Sequence, residues 1–351
     1  MKKIFILSLT LLCLAWCVFG ATVSELNPDF DRYIDTATRW RTREGTPQTY
    51  WTCFFFADTH SNGEEFSRLM EFYTEKQKWF DEVYCAGDMV NDNVETDDFT
   101  YWSKTPGHEK VLMCIGNHDV KPHKNADISK EYLSEKETYD MFFAPFIANW
   151  GAVYEEGHTY YYKDYPKKGL RLITVDCMLH GKENERQYQW FSKTVKDTLQ
   201  KKYALIIVNH CPLDHNEIIQ SNFTHLTAKY QSVWFNMDSF QKDIENFIDN
   251  GGEFVCWLGG HIHCDSICYN RNYPRQLNIL IDAADQTQSS WFTDTMRTKG
   301  TRNEDIADAI VVNLTRHQIK IIRVGANINE YLQPRNSIVI DYKTREILAQ
   351  N

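Results

Sequence analysis

Apolar residues along this chain gather in short unbroken runs. The early ones are "WTCFFFAD" (51–58), "EVYCAGD" (82–88), "KVLMCIGN" (110–117), "LRLITVD" (170–176), "YALIIVNH" (203–210) and "EFVCWLGGH" (253–261). Runs of this length, rich in β-branched and aromatic residues, read as strands buried on both faces. Helical spacing lies between them: Phe66, Leu69, Met70, Tyr73 and Phe80 within 64–80, then Tyr188, Trp190, Phe191, Val195 and Leu199 within 186–199. A third helix, 239–249, carries Phe240, Ile244, Phe247 and Ile248 and stops at "NGG". Strands alternating with helices predict an α/β sheet covered on both faces. "YYYKDYPKKGLRLITVD" predicts a hairpin turning at Pro166 to Gly169. Later strands, "QLNILIDA" (276–283), "AIVVNLT" (309–315), "QIKIIRVG" (318–325) and "NSIVIDY" (336–342), have short turns and predict antiparallel pairing.

Strand after strand ends in a polar, ligand-type side chain: Asp58 and His60, Asp88, Asn117 and His118, His210, then His261 and His263. In open α/β sheets, sites form beyond the carboxyl ends of the strands. Alone, each piece is an ordinary turn. Together they place carboxylates, an amide and imidazoles at one edge.

That mixed oxygen and nitrogen set suits Mn, Fe, Zn or Co better than Ca or Mg, and the absence of Cys argues against a structural zinc knot. Seven ligands exceed what one ion takes. They suit two divalent transition-metal ions about 3.5–4 Å apart that share one carboxylate and leave room for water. Gly87, Gly116, Gly259 and Gly260 let the backbone turn so that the side chains converge.

With these residues the chain resembles the calcineurin-like metallophosphoesterases. The family pattern D-x-H, G-D, G-N-H-[DE], H and G-H-x-H appears as "DTH", "GD", "GNHD", "NH" and "GHIH" between residues 58 and 263. The resemblance implies a four-layer α/β/β/α sandwich with mixed sheets and a metal site at the carboxyl ends of the strands. It implies Asp58, His60 and His263 on one metal and Asn117, His210 and His261 on the second, with Asp88 bridging. His118 would contact the phosphoryl group and protonate the leaving oxygen, while metal-activated water attacks.

Departures narrow the family. The protein Ser/Thr phosphatase branch follows "GD" with an aspartate three residues on and then an arginine. Here "GDMVNDN" gives Asn91, Asp92 and Asn93. The phosphate-clamping arginine is missing, and Asn91 replaces the acid that would orient His118. Asp92 and Asp119 are the substitutes the sequence offers, so Asn91, Asp92 and Asp119 are candidate supports for the site. Purple acid phosphatases carry a metal-bound tyrosine where Asn91 stands, and the large second domain of secreted nucleotidases is absent. The pattern is nearer the compact phosphodiesterase-like members.

Net charge is −10 over 351 residues, which disfavours a nucleic-acid polymer as partner. A small phosphate-ester substrate would then meet its cations locally. "MKKIFILSLTLLCLAWCVFGA" has the layout of a secretory signal peptide over 1–20, cleaved near Gly20 or Ala21. Its apolar run, Ile4 to Phe19, is shorter than the roughly 20 residues of a bilayer span, so no stable membrane span is expected after cleavage. Trp16 before Cys17 fits a lipoprotein signal poorly, which leaves lipid anchoring a minor alternative. The expectation is an exported protein, periplasmic or secreted, with one domain over 21–351 that is strand-rich over 276–351. Cys264 and Cys268 are close enough for a local pair, whereas Cys53, Cys85, Cys114 and Cys256 lie in apolar strands as small buried hydrophobes. "NFT" at Asn222 and "NLT" at Asn313 match the glycosylation pattern.

Residues 120–165 follow the catalytic loop and could wall the cleft, with Lys121, His123 and Lys124 near the phosphate or simply in solvent. The 211–238 stretch, with His215, His225, Tyr230 and Trp234, could form the opposite wall. "YYY" (160–162) reads as packed hairpin. The leading expectation is an exported phosphoesterase, with diesters favoured over monoesters. The alternatives are a non-hydrolytic, metal-scaffolded protein that binds a phosphate ligand, and a metal-scaffolded interaction module. The complete ligand set and the retained His118 argue against both.

Overall fold

The computed structural model describes residues 30–39, 49–91, 99–121, 132–213, 216–221, 237–284, 297, 299, 301, 304–326 and 337–350. The chain begins one sheet, builds a second, and returns to finish the first. Strands β1 (Tyr50–Phe56), β2 (Glu82–Cys85) and β3 (Leu112–Met113) run parallel. Then follow β4 (Val153–Tyr154), β5 (Tyr161–Tyr165), β6 (Leu170–Thr174), β7 (Ala204–Val208), β8 (Asn216–Ser221), β9 (Phe254–Gly259), β10 (Ser266–Asn270) and β11 (Leu277–Leu280). They form one sheet in the order β4-β5-β6-β7-β9-β11-β10-β8. Its centre, β6, β7, β9 and β11, is parallel. Strands β12 (Ile306–Asn313), β13 (Gln318–Gly325), β14 (Ser337–Asp341) and β15 (Ile347–Gln350) complete the first sheet as β15-β14-β13-β12-β1-β2-β3. They pair antiparallel, as expected, and β12 lies against β1. The run 276–283 departs from that expectation: as β11 it sits in the other sheet, antiparallel to β10 but parallel to β9.

The helices are α1 (Phe30–Arg39), α2 (Gly63–Lys76), α3 (Thr100–Lys104), α4 (Glu135–Thr138), α5 (Gly181–Lys201) and α6 (Asp238–Asp249). Side-chain alternation in β1 shows why that strand is apolar throughout. Phe54 and Phe56 face α2, with ring centroids 5.7 Å from Phe72 and 6.0 Å from Phe66. Trp51 and Phe55 face the other way, 6.0 Å from Tyr165 and 6.1 Å from Tyr84. Between the sheets, Tyr84 Oη and Thr174 Oγ1 share a hydrogen bond of 2.7 Å, and Tyr161 Oη donates to Met113 O at 3.0 Å. Beyond the second sheet, buried Arg171 of β6 donates from Nη1 to Thr194 O and Thr198 Oγ1 of α5, and Phe191 of α5 lies 4.8 Å from Phe240 of α6. The layers are therefore helix, sheet, sheet, helix, the sandwich the resemblance implies.

Several elements depart from the sequence pattern for visible reasons. The strand expected over 110–117 keeps only two residues, because the Gly116 amide donates to Asp119 Oδ2 at 2.8 Å and draws the chain into a turn. Helix α5 starts at Gly181, seven residues before Tyr188 opens its apolar stripe, since that stretch is polar and carries no hydrophobic signal. Strand β15 is a sheet edge with Leu348 and Ala349 exposed, and it shows no buried-strand pattern. The hairpin turns at Pro166 to Gly169, and Tyr160 and Tyr161 are buried in it. Cys264 and Cys268 do not pair: every described cysteine is a buried thiol. Asn313 is also buried, its Oδ1 accepting from Arg316 N, so that sequon is closed in the folded chain. Residues 1–29, Asp92, Asn93, His123, Lys124, His215, Asn222, His225, Tyr230 and Trp234 lie outside the described residues.

Candidate metal centre

The loops leaving β1, β2, β3, β7 and β9 meet at one edge of the sandwich. Asp58, His60, Asp88 and His263 bring ligand atoms within 4.8 Å of one another, and so do Asp88, His210 and His261. Asp88 belongs to both groups. In the first, His60 Nε2 lies 3.2 Å from His263 Nε2, which lies 3.4 Å from Asp58 Oδ1. In the second, His210 Nε2 lies 3.1 Å from Asp88 Oδ2 and 3.2 Å from Asn117 Oδ1, and His261 Nδ1 is 2.7 Å from that same Asn117 oxygen.

The donor chemistry fits cations. Asp58 Oδ1 is buried and has no hydrogen-bond partner, an expensive state for a carboxylate unless a cation meets it. His210 Nδ1 lies 2.7 Å from Ala86 O. A carbonyl only accepts, so Nδ1 carries a proton and Nε2 is turned toward Asp88 and Asn117, the usual way a backbone carbonyl orients a ligating histidine. Burial alone would lower the His210 imidazole, but the Asp88 carboxylate holds it well above its ordinary value, and a metal ion would take the place of the Nε2 proton. Burial brings the His60 and His261 imidazoles down to about 4, so both are neutral near pH 7, the form that ligates. Burial alone would raise the Asp88 carboxyl, but the charge and hydrogen bond of His210, with His118 beside it, hold it well below its ordinary value. A third acidic group, Glu65, Glu304 and Asp305, lies elsewhere, and Arg68 Nη2 sits 2.7 Å from both Glu304 and Asp305.

The backbone carrying these candidate ligands is unusual. Asp58, His60, Asp88, His261 and His263 all have positive φ, between 44° and 71°. Non-glycine residues hold this left-handed conformation at a cost of about 1–3 kcal/mol each, and it gathers at functional sites. Two glycines serve by lacking a side chain rather than by turning. A Cβ at Gly116 would stand 2.2 Å from Asp88 Oδ1, and one at Gly260 would stand 2.4 Å from Asp58 Oδ2.

His118 sits at the rim. Its amide donates to Asp88 Oδ1 at 2.8 Å, its ring stands edge-on to His60 at 4.8 Å, and Nε2 lies 3.9 Å from Asp88 Oδ2. Its side chain is 23% exposed, whereas those of His60 and His210 are fully enclosed. Of its candidate supports, Asn91 is exposed and its amide bonds Ser61 Oγ. Asp119 is fully buried, but both its oxygens accept backbone amides: Oδ2 from Asp88 and Gly116, Oδ1 from Met89 and Val90. Asp119 therefore braces the turn of Asp88, not the His118 ring.

Two supports have no counterpart in the motif reading. Tyr101 Oη donates to Met89 O at 2.5 Å and shares a 3.0 Å bond with Thr59 Oγ1, tying the first metal loop to the second. Behind His263, buried Arg323 pairs with Asp265 at 2.6 Å and Asp308 at 2.9 Å. The sequence signal for Arg323 is a cation inside the apolar run "QIKIIRVG"; Tyr101, in "DDFTYWSK", carries none.

A sequence model of the calcineurin-like phosphoesterases matches residues 52–265, more than half of the chain and the whole of both ligand groups. The chain belongs to this family, whose members are hydrolases of phosphoester bonds and typically bind two divalent metals. Among solved structures it is similar to a dimetal phosphatase from Danio rerio, at 10% identity and TM-score 0.48, over 79% of this chain and 96% of that one. It is similar also to GAP50, the anchor in the inner membrane complex of Plasmodium, at 11% identity and TM-score 0.40, over 86% and 88%. A predicted phosphoesterase from Streptococcus pneumoniae follows at 12% identity and TM-score 0.36, over 83% and 97%. No curated protein matches the sequence.

Proposed function

We propose that the chain is an exported phosphodiesterase that uses Asp58, His60 and His263 for one metal ion, Asn117, His210 and His261 for another, and Asp88 for both. The observation that carries this reading is the sharing of Asp88 by two ligand groups, buried but for half-buried His261, with His118 at their open side. Divalent transition-metal ions, when bound, supply Lewis-acid charge for the phosphoryl oxygens and activate a water for attack. His118 is placed to donate a proton to the leaving oxygen, and its partly exposed ring can reach a substrate that fully enclosed His60 and His210 cannot. Asp119 and Tyr101 hold the loops so that the ligands meet without moving.

Preference for diesters rests on what the site lacks. Asn91, three residues beyond Asp88, offers neither the acid and following arginine of the protein phosphatases nor the tyrosine of the purple acid phosphatases. Export rests on the segment 1–20, and no described helix is long and apolar enough to cross a membrane.

Manganese-supplemented hydrolysis of bis(p-nitrophenyl) phosphate beside p-nitrophenyl phosphate tests the reading. The diester should turn over faster, and His118→Ala should abolish that turnover. Preference for the monoester would make the protein a phosphatase on the same centre. No turnover of either ester, with metals bound, would favour the binding-protein alternative.

A further inference from the structure

Strands β6 and β7 run parallel in direct register, Leu170 beside Ala204 through Thr174 beside Val208. Three residues beyond the last pair stand Cys177 and Cys211. The register carries on past the strands, with the Val175 amide donating to Val208 O at 3.0 Å, and so brings the two thiols together. Their sulfurs are 3.3 Å apart, and both residues are buried. A disulfide bond is about 2.05 Å long, so closure needs roughly 1 Å of side-chain movement. No metal-capable group among the described residues includes either thiol.

We infer that Cys177 and Cys211 are a redox pair that closes to a disulfide, joining the carboxyl ends of β6 and β7. The inference is independent of the hydrolase reading. Its oxidant is a disulfide of the glutathione type. One cysteine thiolate attacks the oxidant, giving a mixed disulfide and releasing one reduced thiol. The other thiolate attacks the protein sulfur of that mixed disulfide and releases the second. Two protein thiols become one disulfide, and one oxidant disulfide becomes two thiols, which take up the two protons.

The reaction belongs to the folding chain, before the site closes. In the folded state both thiols are enclosed, and a thiol shut away from solvent and oxidant is a poor nucleophile. Once formed, the bond closes the loop that contains α5 and restrains the unfolded chain. It also anchors the backbone next to His210, where Asn209 Nδ2 already donates to Cys211 O at 2.5 Å.

The test refolds the reduced full chain in mixed reduced and oxidised glutathione, quenches it with acid, alkylates it under denaturing conditions and maps the peptides without reduction. The expected map shows Cys177 linked to Cys211, with Cys53, Cys85, Cys114, Cys256, Cys264 and Cys268 alkylated. Reductant should lower the thermal midpoint of this protein by several degrees and leave that of Cys211→Ser unchanged. The map needs no variant, so a Cys211→Ser chain that fails to fold does not weaken it. Alkylation of both Cys177 and Cys211, either one linked instead to Cys114, or glutathione retained on either would overturn the inference.

Discussion

The Asp88 amide donates to Asp119 Oδ2 at 3.0 Å, and the same carboxylate takes the amides of Met89, Val90 and Gly116. One buried acid thus clasps the turn of the shared ligand to the turn that carries Asn117 and His118. Burial and the neighbouring Asp88 push the Asp119 carboxyl up to about 8, against the amides that favour its charge. Removing the acceptor strands buried amides, each worth about 1–3 kcal/mol. Asp119→Ala should lose ~3 kcal/mol or more of stability and bind metal about 10–100-fold more weakly, the range seen when ligand supports are lost. Asp119→Asn keeps one acceptor oxygen and should fall between. Urea unfolding and metal titration check both, and wild-type metal affinity in Asp119→Ala would sink the clasp.

Gly116→Ala and Gly260→Ala press a methyl group onto the Asp88 and Asp58 carboxylates. Overpacking of this kind costs about 1–3 kcal/mol, and here it displaces ligands. Both variants should fold, with metal content reduced more than their thermal midpoints suggest. Elemental analysis beside calorimetry separates the two effects. Full metal content in either variant would show that the carboxylates have room to move.

Asp176 lies one residue from Cys177, and burial pushes its carboxyl up to about 7 although Thr159 Oγ1 and Met178 N donate to it. An unfolded Asp titrates near 3.9, so between about 4 and 7 the folded chain keeps a proton that the unfolded chain has lost. This contribution to stability is fully present below about pH 4 and is lost as pH rises to about 7, by up to about 1.4 kcal/mol per pH unit. Asp176→Asn stays neutral and can still pair with both donors once the Thr159 hydroxyl turns. Its stability should therefore gain on the wild type across that window. Equal pH slopes in urea unfolding of the two proteins would contradict the assignment.

Removing bound metal should destabilise the fold, because the unfolded chain does not preserve the ligand geometry. An ion present at a hundred times its dissociation constant stabilises by about 2.7 kcal/mol. A chelator should lower the thermal midpoint and manganese should restore it. Asp58→Asn should blunt the response, since its orphaned Oδ1 belongs to the first ligand group.

Much of the fold, and the convergence of the candidate ligands at one edge, was legible because each signal repeats. Apolar runs mark strands buried on both faces, and polar tips at successive strand ends mark one edge. What escaped depends on contacts between distant segments. Asp119 reads in "GNHD" as a turn acid or a partner for His118, and only the folded loops show four amides converging on it. The left-handed backbone at Asp58, His60, Asp88, His261 and His263 has no sequence marker, because aspartate and histidine rarely need it. Cys177 and Cys211 meet only through the register of β6 and β7.

Asp88 shared by two ions would empty both sites when it is lost. Metal counting by mass spectrometry on manganese-reconstituted, desalted protein tests it directly, with Asp88→Asn alongside. Two equivalents per wild-type chain are expected, both depleted in Asp88→Asn. A saturated wild type holding one equivalent or fewer, or a variant that loses only one of two, would contradict it.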